Sequence, residues 1–181
     1  MKRITIIFAW AIILSSCGSG KEITVPVDHT NYEVHGEGQG VQGTALIKVY
    51  SYGYTVDNAI EKAKMDAVHA VLFKGIPGSN IAQPLVKTGY DAHKAYFDDF
   101  FGLYKIKAGK RTKIDPFDIT KTFNAPYKLY VQLSNDGSID PADRMKVGRF
   151  YKVGVTVLVN VEQLRKKLEK DGIIRPLNYG F

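Results

Sequence analysis

Runs of apolar and polar residues along this chain fall into distinct periods, and each period predicts an element. Ile4 to Leu14, apolar but for Thr5, follows Lys2 and Arg3. At eleven residues it falls well short of the ~20 needed to cross a bilayer. Ile23 to Val34 carries Pro26, Asp28, His29 and Asn31 without sustained periodicity and is expected to be an extended approach. Thr44 to Tyr50 is β-branched and aromatic and predicts a strand. From Val56 the period changes. Val56, Ile60, Ala63, Ala67 and Val71 recur at helical spacing, with Ala59, Ala70 and Leu72 widening the stripe. Lys62, Lys64 and Asp66 are assigned to the polar side. Thr55 is placed to cap this helix, Asp57 and Glu61 suit its positive end, and Gly75 and Pro77 stop it.

A turn-rich loop follows to Lys87, and Thr88-x-x-Asp91 has the form of a capping box opening a second helix that ends near Gly102. Ala92, Tyr96 and Phe100 form one ridge of it, and His93, Phe97, Phe101 and Tyr104 the next. Such an aromatic stripe reads as core, with a binding groove as the alternative. Asp91, Lys94 and Asp98 form its polar side. Farther on, Tyr127, Leu129, Val131 and Leu133 alternate with Lys128, Tyr130 and Gln132 and predict a half-covered strand. Gly148 to Val159 predicts a longer strand with Val153, Val155, Val157 and Val159 on one face. Asn160 then caps a last helix whose Leu164 and Leu168 point inward, ending at Gly172. The order strand, helix, helix, strand, strand, helix predicts a single α+β domain over 34–181, with helices packed on a mostly antiparallel sheet.

The N-terminal run gains meaning from what closes it. Basic start, short apolar core and small-residue exit form the anatomy of a secretory signal over residues 1–16. Leu14-Ser15-Ser16-Cys17 resembles the lipobox of bacterial lipoproteins. That resemblance implies cleavage before Cys17 and a diacylglycerol on its thiol. Cys17 is the only cysteine, so no disulfide forms within the chain. Two or three acyl chains on one residue would hold the protein to a bilayer for good. Residues 17–33 then serve as tether and approach, beginning with the small, flexible Gly18-Ser19-Gly20. Gly18, where an Asp would act as a retention signal in enterobacteria, favours the outer membrane, on its periplasmic face or at the cell surface.

Charge adds a second theme. The chain is formally +7, and loss of Lys2 and Arg3 leaves 23 basic against 18 acidic residues. In an exported protein such a balance serves solubility alone or points to acidic envelope partners, rather than to nucleic acid. Lys105, Lys107, Lys110, Arg111 and Lys113 lie close together in a hairpin or mobile loop, which reads as a solvated loop or as the candidate contact with an anionic surface.

Candidate chemistry is sparse. Gly38-x-Gly40-x-x-Gly43 matches the dinucleotide fingerprint in spacing, but a strand follows where the fingerprint needs a helix. The glycines are expected to allow a bulge instead. No nucleophile elbow, paired-cysteine zinc motif or His-Glu-x-x-His is present in the sequence. Asp66, His69, Asp91, His93 and Asp98 would meet only if the first two helices were adjacent, as a metal or hydrolase set. A deep pocket holding one of those histidines with two carboxylates would favour the hydrolase. Both histidines lie on apolar stripes and read as structural. The chain is therefore expected not to be an enzyme and to need neither cofactor nor metal.

Three elements together carry a wider resemblance: the lipobox, the Gly-x-Gly approach to a strand, and an alanine-rich helix ending Leu72-Phe73-Lys74-Gly75. A closing strand and helix from Tyr151 to Gly172 completes it. The chain resembles small bacterial envelope lipoproteins of the Lpp-twenty type and the N-terminal domain of the flagellar outer-ring assembly protein. It also resembles lipoproteins associated with curli-type secretion channels. Residues 34–75 carry most of the likeness and 126–175 a looser part. The aromatic second helix and the basic stretch have no counterpart there. The resemblance implies an α+β fold, no catalytic residues, an accessory role in an envelope assembly and a protein partner. Only Cys17 transfers from it as a site. A module binding an envelope polymer or carbohydrate through exposed tyrosines and the basic stretch is the alternative. The oligomeric state is left open.

Overall fold

A computed structural model describes residues 31–115, 117–119, 124–135 and 138–176, but no side chain for Gln39 or Lys107. The signal segment, Cys17 and most of the tether lie outside the described residues.

The fold is α+β. Strands β1 (Glu33–Gln39) and β2 (Thr44–Gly53) form an antiparallel hairpin, and β2 pairs along its whole length with β7 (Phe150–Asn160). The short β5 (Val131–Leu133) and β6 (Arg144–Val147) both pair with β7, closing a five-stranded antiparallel sheet. Alternation decides its two faces. Ala45, Ile47, Val49 and Ser51 of β2 point inward with Val153, Val155, Val157 and Val159 of β7, and all are buried. The expected glycine bulge is present, since the β1–β2 register slips between Gly36 and Gln39.

Helix α1 (Val56–His69) lies across the inward face. Thr55 caps it by accepting from the Asn58 amide at 3.1 Å. Ala59, Ala63 and Ala67 are fully buried, and such small side chains let helix and sheet approach closely. The approach is tight enough that a Cβ on Gly53 would sit 2.3 Å from the Ala59 amide nitrogen. A π-helical turn, Ala70–Lys74, continues α1 until Gly75, at φ 72°, ends it. Helix α2 (Lys94–Phe100), after a 3₁₀ turn Asp91–His93, adds Phe97 and Phe100 to the core, while α3 (Val161–Lys170) adds Leu164 and Leu168. Asn160 caps α3 by accepting from the Gln163 amide at 3.0 Å. Between α2 and β5, β3 (Tyr104–Lys107) and β4 (Lys110–Lys113) form a separate two-stranded hairpin.

Three expectations need correction. Tyr127–Leu133 is not one strand: Pro126–Tyr130 forms a 3₁₀ turn, and only Val131–Leu133 pairs with β7. Proline at the turn's first position presets the helical φ, and the tighter winding buries Tyr127 but leaves Leu129 79% exposed. Thr88 does not cap α2, because Gly89 at φ 80° turns the chain and a 3₁₀ turn precedes the helix. Finally, Lys62 and Asp66 do not face water. Both are buried, paired at 2.6 Å beneath β2.

Candidate functional site

The basic stretch folds as a hairpin, and the fold divides its charges. Ala108 and Gly109 form the two-residue turn at φ 49° and 75°, the left-handed pair that such a tight hairpin demands. Register sets Tyr104 opposite Lys113 and Ile106 opposite Arg111, so these four share one face. Lys105 and Thr112 lie on the other, and Lys107 pairs in register with Lys110. Arg111 is engaged: its guanidinium lies 4.3 Å from the Tyr104 ring centre and donates to Asp99 at 2.8 Å. Lys105, Lys110 and Lys113 are exposed and have no carboxylate partner among the described residues. Ile106 is exposed as well, at 81%.

Behind the hairpin lies a half-open cavity of about 290 Å³. Met65, His69, Phe101 and Leu103 give it an apolar and aromatic floor, and Tyr90 and Tyr104 its sides. Asp91, Lys94, Asp98 and Lys113 stand around it. The fold therefore does bring His69 together with two carboxylates, as the hydrolase reading required. Tyr90 was not singled out from the sequence; Tyr104 stood on the aromatic ridge read as core, with a binding groove as the alternative.

Geometry shows how these groups are engaged. His69 Nδ1 is hydrogen-bonded to the Tyr32 hydroxyl at 2.8 Å, and its ring packs on Phe73, Tyr90 and Phe101. Asp98 accepts from the Tyr90 hydroxyl at 2.8 Å and from Lys94 at 2.9 and 3.0 Å. Burial works against the Asp98 charge, yet those two donors outweigh it and hold the carboxyl below the usual range. A carboxylate so stabilised is a poor base. Burial, then Asp98, pushes the Tyr90 hydroxyl well above the ordinary tyrosine range, so it remains a donor at neutral pH. No cluster of three or more ligand side chains able to hold a metal occurs among the described residues.

Deeper in, Asp66 accepts from both Lys62 and the Ser51 hydroxyl through one oxygen, while its other oxygen has no hydrogen-bond partner among the described residues. Burial pushes this carboxyl up against the pull of Lys62. The uncovered sheet face is closed upon itself too. Tyr50 lies over Gly154, where a Cβ would meet its ring at 2.4 Å, and donates to Asp143 at 2.8 Å. Lys48 and Lys152 flank that ring at 5.6 and 5.4 Å from its centre. Its faces are thus occupied by protein groups rather than presented to a sugar. A broader hollow beside α3 is bounded by residues 172–176, which adjoin undescribed chain.

No helix among the described residues is long and apolar enough to cross a membrane. No protein-family model matches the chain, and searches of curated proteins and of solved structures return no match either.

Proposed function

We propose that this chain is a bacterial outer-membrane lipoprotein, held through Cys17, whose folded body binds a protein partner in an envelope assembly without catalysing a reaction. The likeness to Lpp-twenty-type lipoproteins and to those of curli-type secretion channels supports the class of partner, and the lipobox supports the address. One observation carries the non-catalytic part. His69 and Asp98, which the fold gathers at its cavity, are engaged internally, His69 by Tyr32 and Asp98 by Tyr90 and Lys94. Crosslinking in intact cells at native abundance, followed by purification through this chain, tests the reading. A reproducible adduct with an envelope protein supports it, and recovery of monomer alone overturns it.

A hydrolytic centre is the second reading, favoured by the meeting of His69, Asp91 and Asp98 at one cavity. Turnover of chromogenic ester or phosphoester substrates by the purified chain, abolished in His69→Ala, would put it first. An inert chain removes it.

A further inference from the structure

We infer that the β3–β4 hairpin is a membrane-touching element, which lays Ile106 and its lysines on the anionic surface of the bilayer that holds the anchor. The inference rests on the lipoprotein reading and adds to it the orientation of the folded body.

Composition comes first. Residues 104–113 hold five cations and no carboxylate, and Ile106 is the only large aliphatic side chain among them. An apolar residue flanked by lysines is what an interfacial element needs: the aliphatic group enters the headgroup boundary while the ammonium groups meet phosphate. In water such an arrangement has little use, because Ile106 stays 81% exposed and buries nothing against its own fold.

Position comes second. Tyr32, where the approach from the anchor joins the core, is hydrogen-bonded to His69. His69 lines the same cavity as Tyr104 and Lys113, the base of the hairpin. The root of the tether is thus joined, through His69, to the small cavity that the root of the hairpin also lines. Val41, equally exposed, lies in the β1–β2 turn at the far end of β1. Seven strand residues, about 23 Å, separate the two ends.

Energetics come third. From Cys17 to Tyr32 the chain reaches at most about 50 Å. Anchoring therefore makes contact with the bilayer intramolecular, at an effective concentration where a weak patch suffices. Each lysine near an anionic surface strengthens contact about fivefold, less at high salt. Arg111, already paired with Asp99, contributes less than Lys105, Lys110 and Lys113.

The experiment uses the full mature protein in proteoliposomes, with Ile106→Cys carrying an environment-sensitive dye and nitroxide-labelled acyl chains as quencher. Quenching is expected in vesicles containing phosphatidylglycerol and not in pure phosphatidylcholine, and it should fade as salt rises. Adding Lys105→Glu and Lys110→Glu should reduce the contacting fraction about 25-fold or more, while a dye at Val41→Cys stays in water throughout. A dye at position 106 that remains aqueous on anionic vesicles overturns the inference, as does equal quenching in neutral ones. If the dye is shielded only by added peptidoglycan, the hairpin belongs to an envelope polymer and the bilayer assignment falls. A bare Cys17 would show itself as a second dye per chain and as failure to float with neutral vesicles, which sinks the anchor alone. Quenching on anionic vesicles then still decides the hairpin either way.

Discussion

Lys62 and Asp66 show best how a residue's surroundings overrule its type. At 100° per residue, Asp66 falls about 20° from Ala59, at the edge of the stripe that meets the sheet, and Lys62 about 60° from it. Spacing therefore places Asp66 beside the buried stripe, and Lys62 follows its partner under the sheet. Removing one member leaves the other buried without its partner, so Lys62→Met should cost about 3–5 kcal/mol in chemical unfolding. The double variant Lys62→Met/Asp66→Leu should recover most of that loss; if it does not, packing rather than pairing dominates there. Acid dependence separates two kinds of aspartate. Lys48 at 2.7 Å, with Tyr50, holds Asp143 below the usual carboxylate range. Its contribution is therefore full above the unfolded value of about 4 and disappears as pH falls through the folded one. Asp66 is raised by burial, so its contribution is full below about 4 and is lost as pH climbs through its folded pKa. Unfolding curves from about pH 3 to 7 should show Asp143→Asn losing less stability on acidification than the parent. The gap between the parent and Asp66→Asn should narrow as pH rises; a widening gap would contradict the assignment.

At the scale of elements, legibility followed the length of the pattern. Helix α1, β2, β7 and α3 each repeat their period many times, and Thr55 and Asn160 cap as their types require. Short elements were obscure. β6 has four residues and β5 three, too few for a period to show, and each exists because β7 offers it an edge. The segment from Tyr127 misled for a related reason: its alternation is short, and Pro126 opens a 3₁₀ turn whose three residues per turn send Tyr127 and Leu129 to different sides. That difference has a measurable consequence. Leu129→Ser should change stability by no more than about 0.5 kcal/mol, whereas Tyr127→Ala should cost about 3–5 kcal/mol. Equal losses by thermal or chemical unfolding would restore the strand. The basic hairpin was half legible. Alternation left hairpin and loop open, and Ala108-Gly109 could close it only by taking left-handed backbone at both positions.

At the scale of the described residues, the five-stranded sheet turns one face to α1 and to the core that α2 and α3 complete, and a polar, self-paired surface to the other side. Glu33 receives Lys152 at 2.6 Å and Glu37 receives Thr156 at 3.0 Å, so β1 is tied to the centre of the sheet on the outside as well. On the proposed lipoprotein reading, membrane attachment falls to the N-terminal segment and the hairpin. A full chain carrying Cys17→Ser should leave the membrane fraction on washing with high salt, while the parent remains. Retention of the variant would mean that something other than acyl chains holds it.

The sequence by itself determined the long periodic elements and the α+β class, and it carries the lone thiol on which the proposed address rests. These depend on local composition and on repeats that a one-dimensional pattern carries. Tertiary structure alone decided which distant groups meet, His69 with Tyr32 and Arg111 with Asp99, and that the neighbouring pair Lys62 and Asp66 is sealed under the sheet. The distant pairings, and the burial of the local one, come from packing, and the free energy of a charge depends on the neighbours and water that packing leaves it.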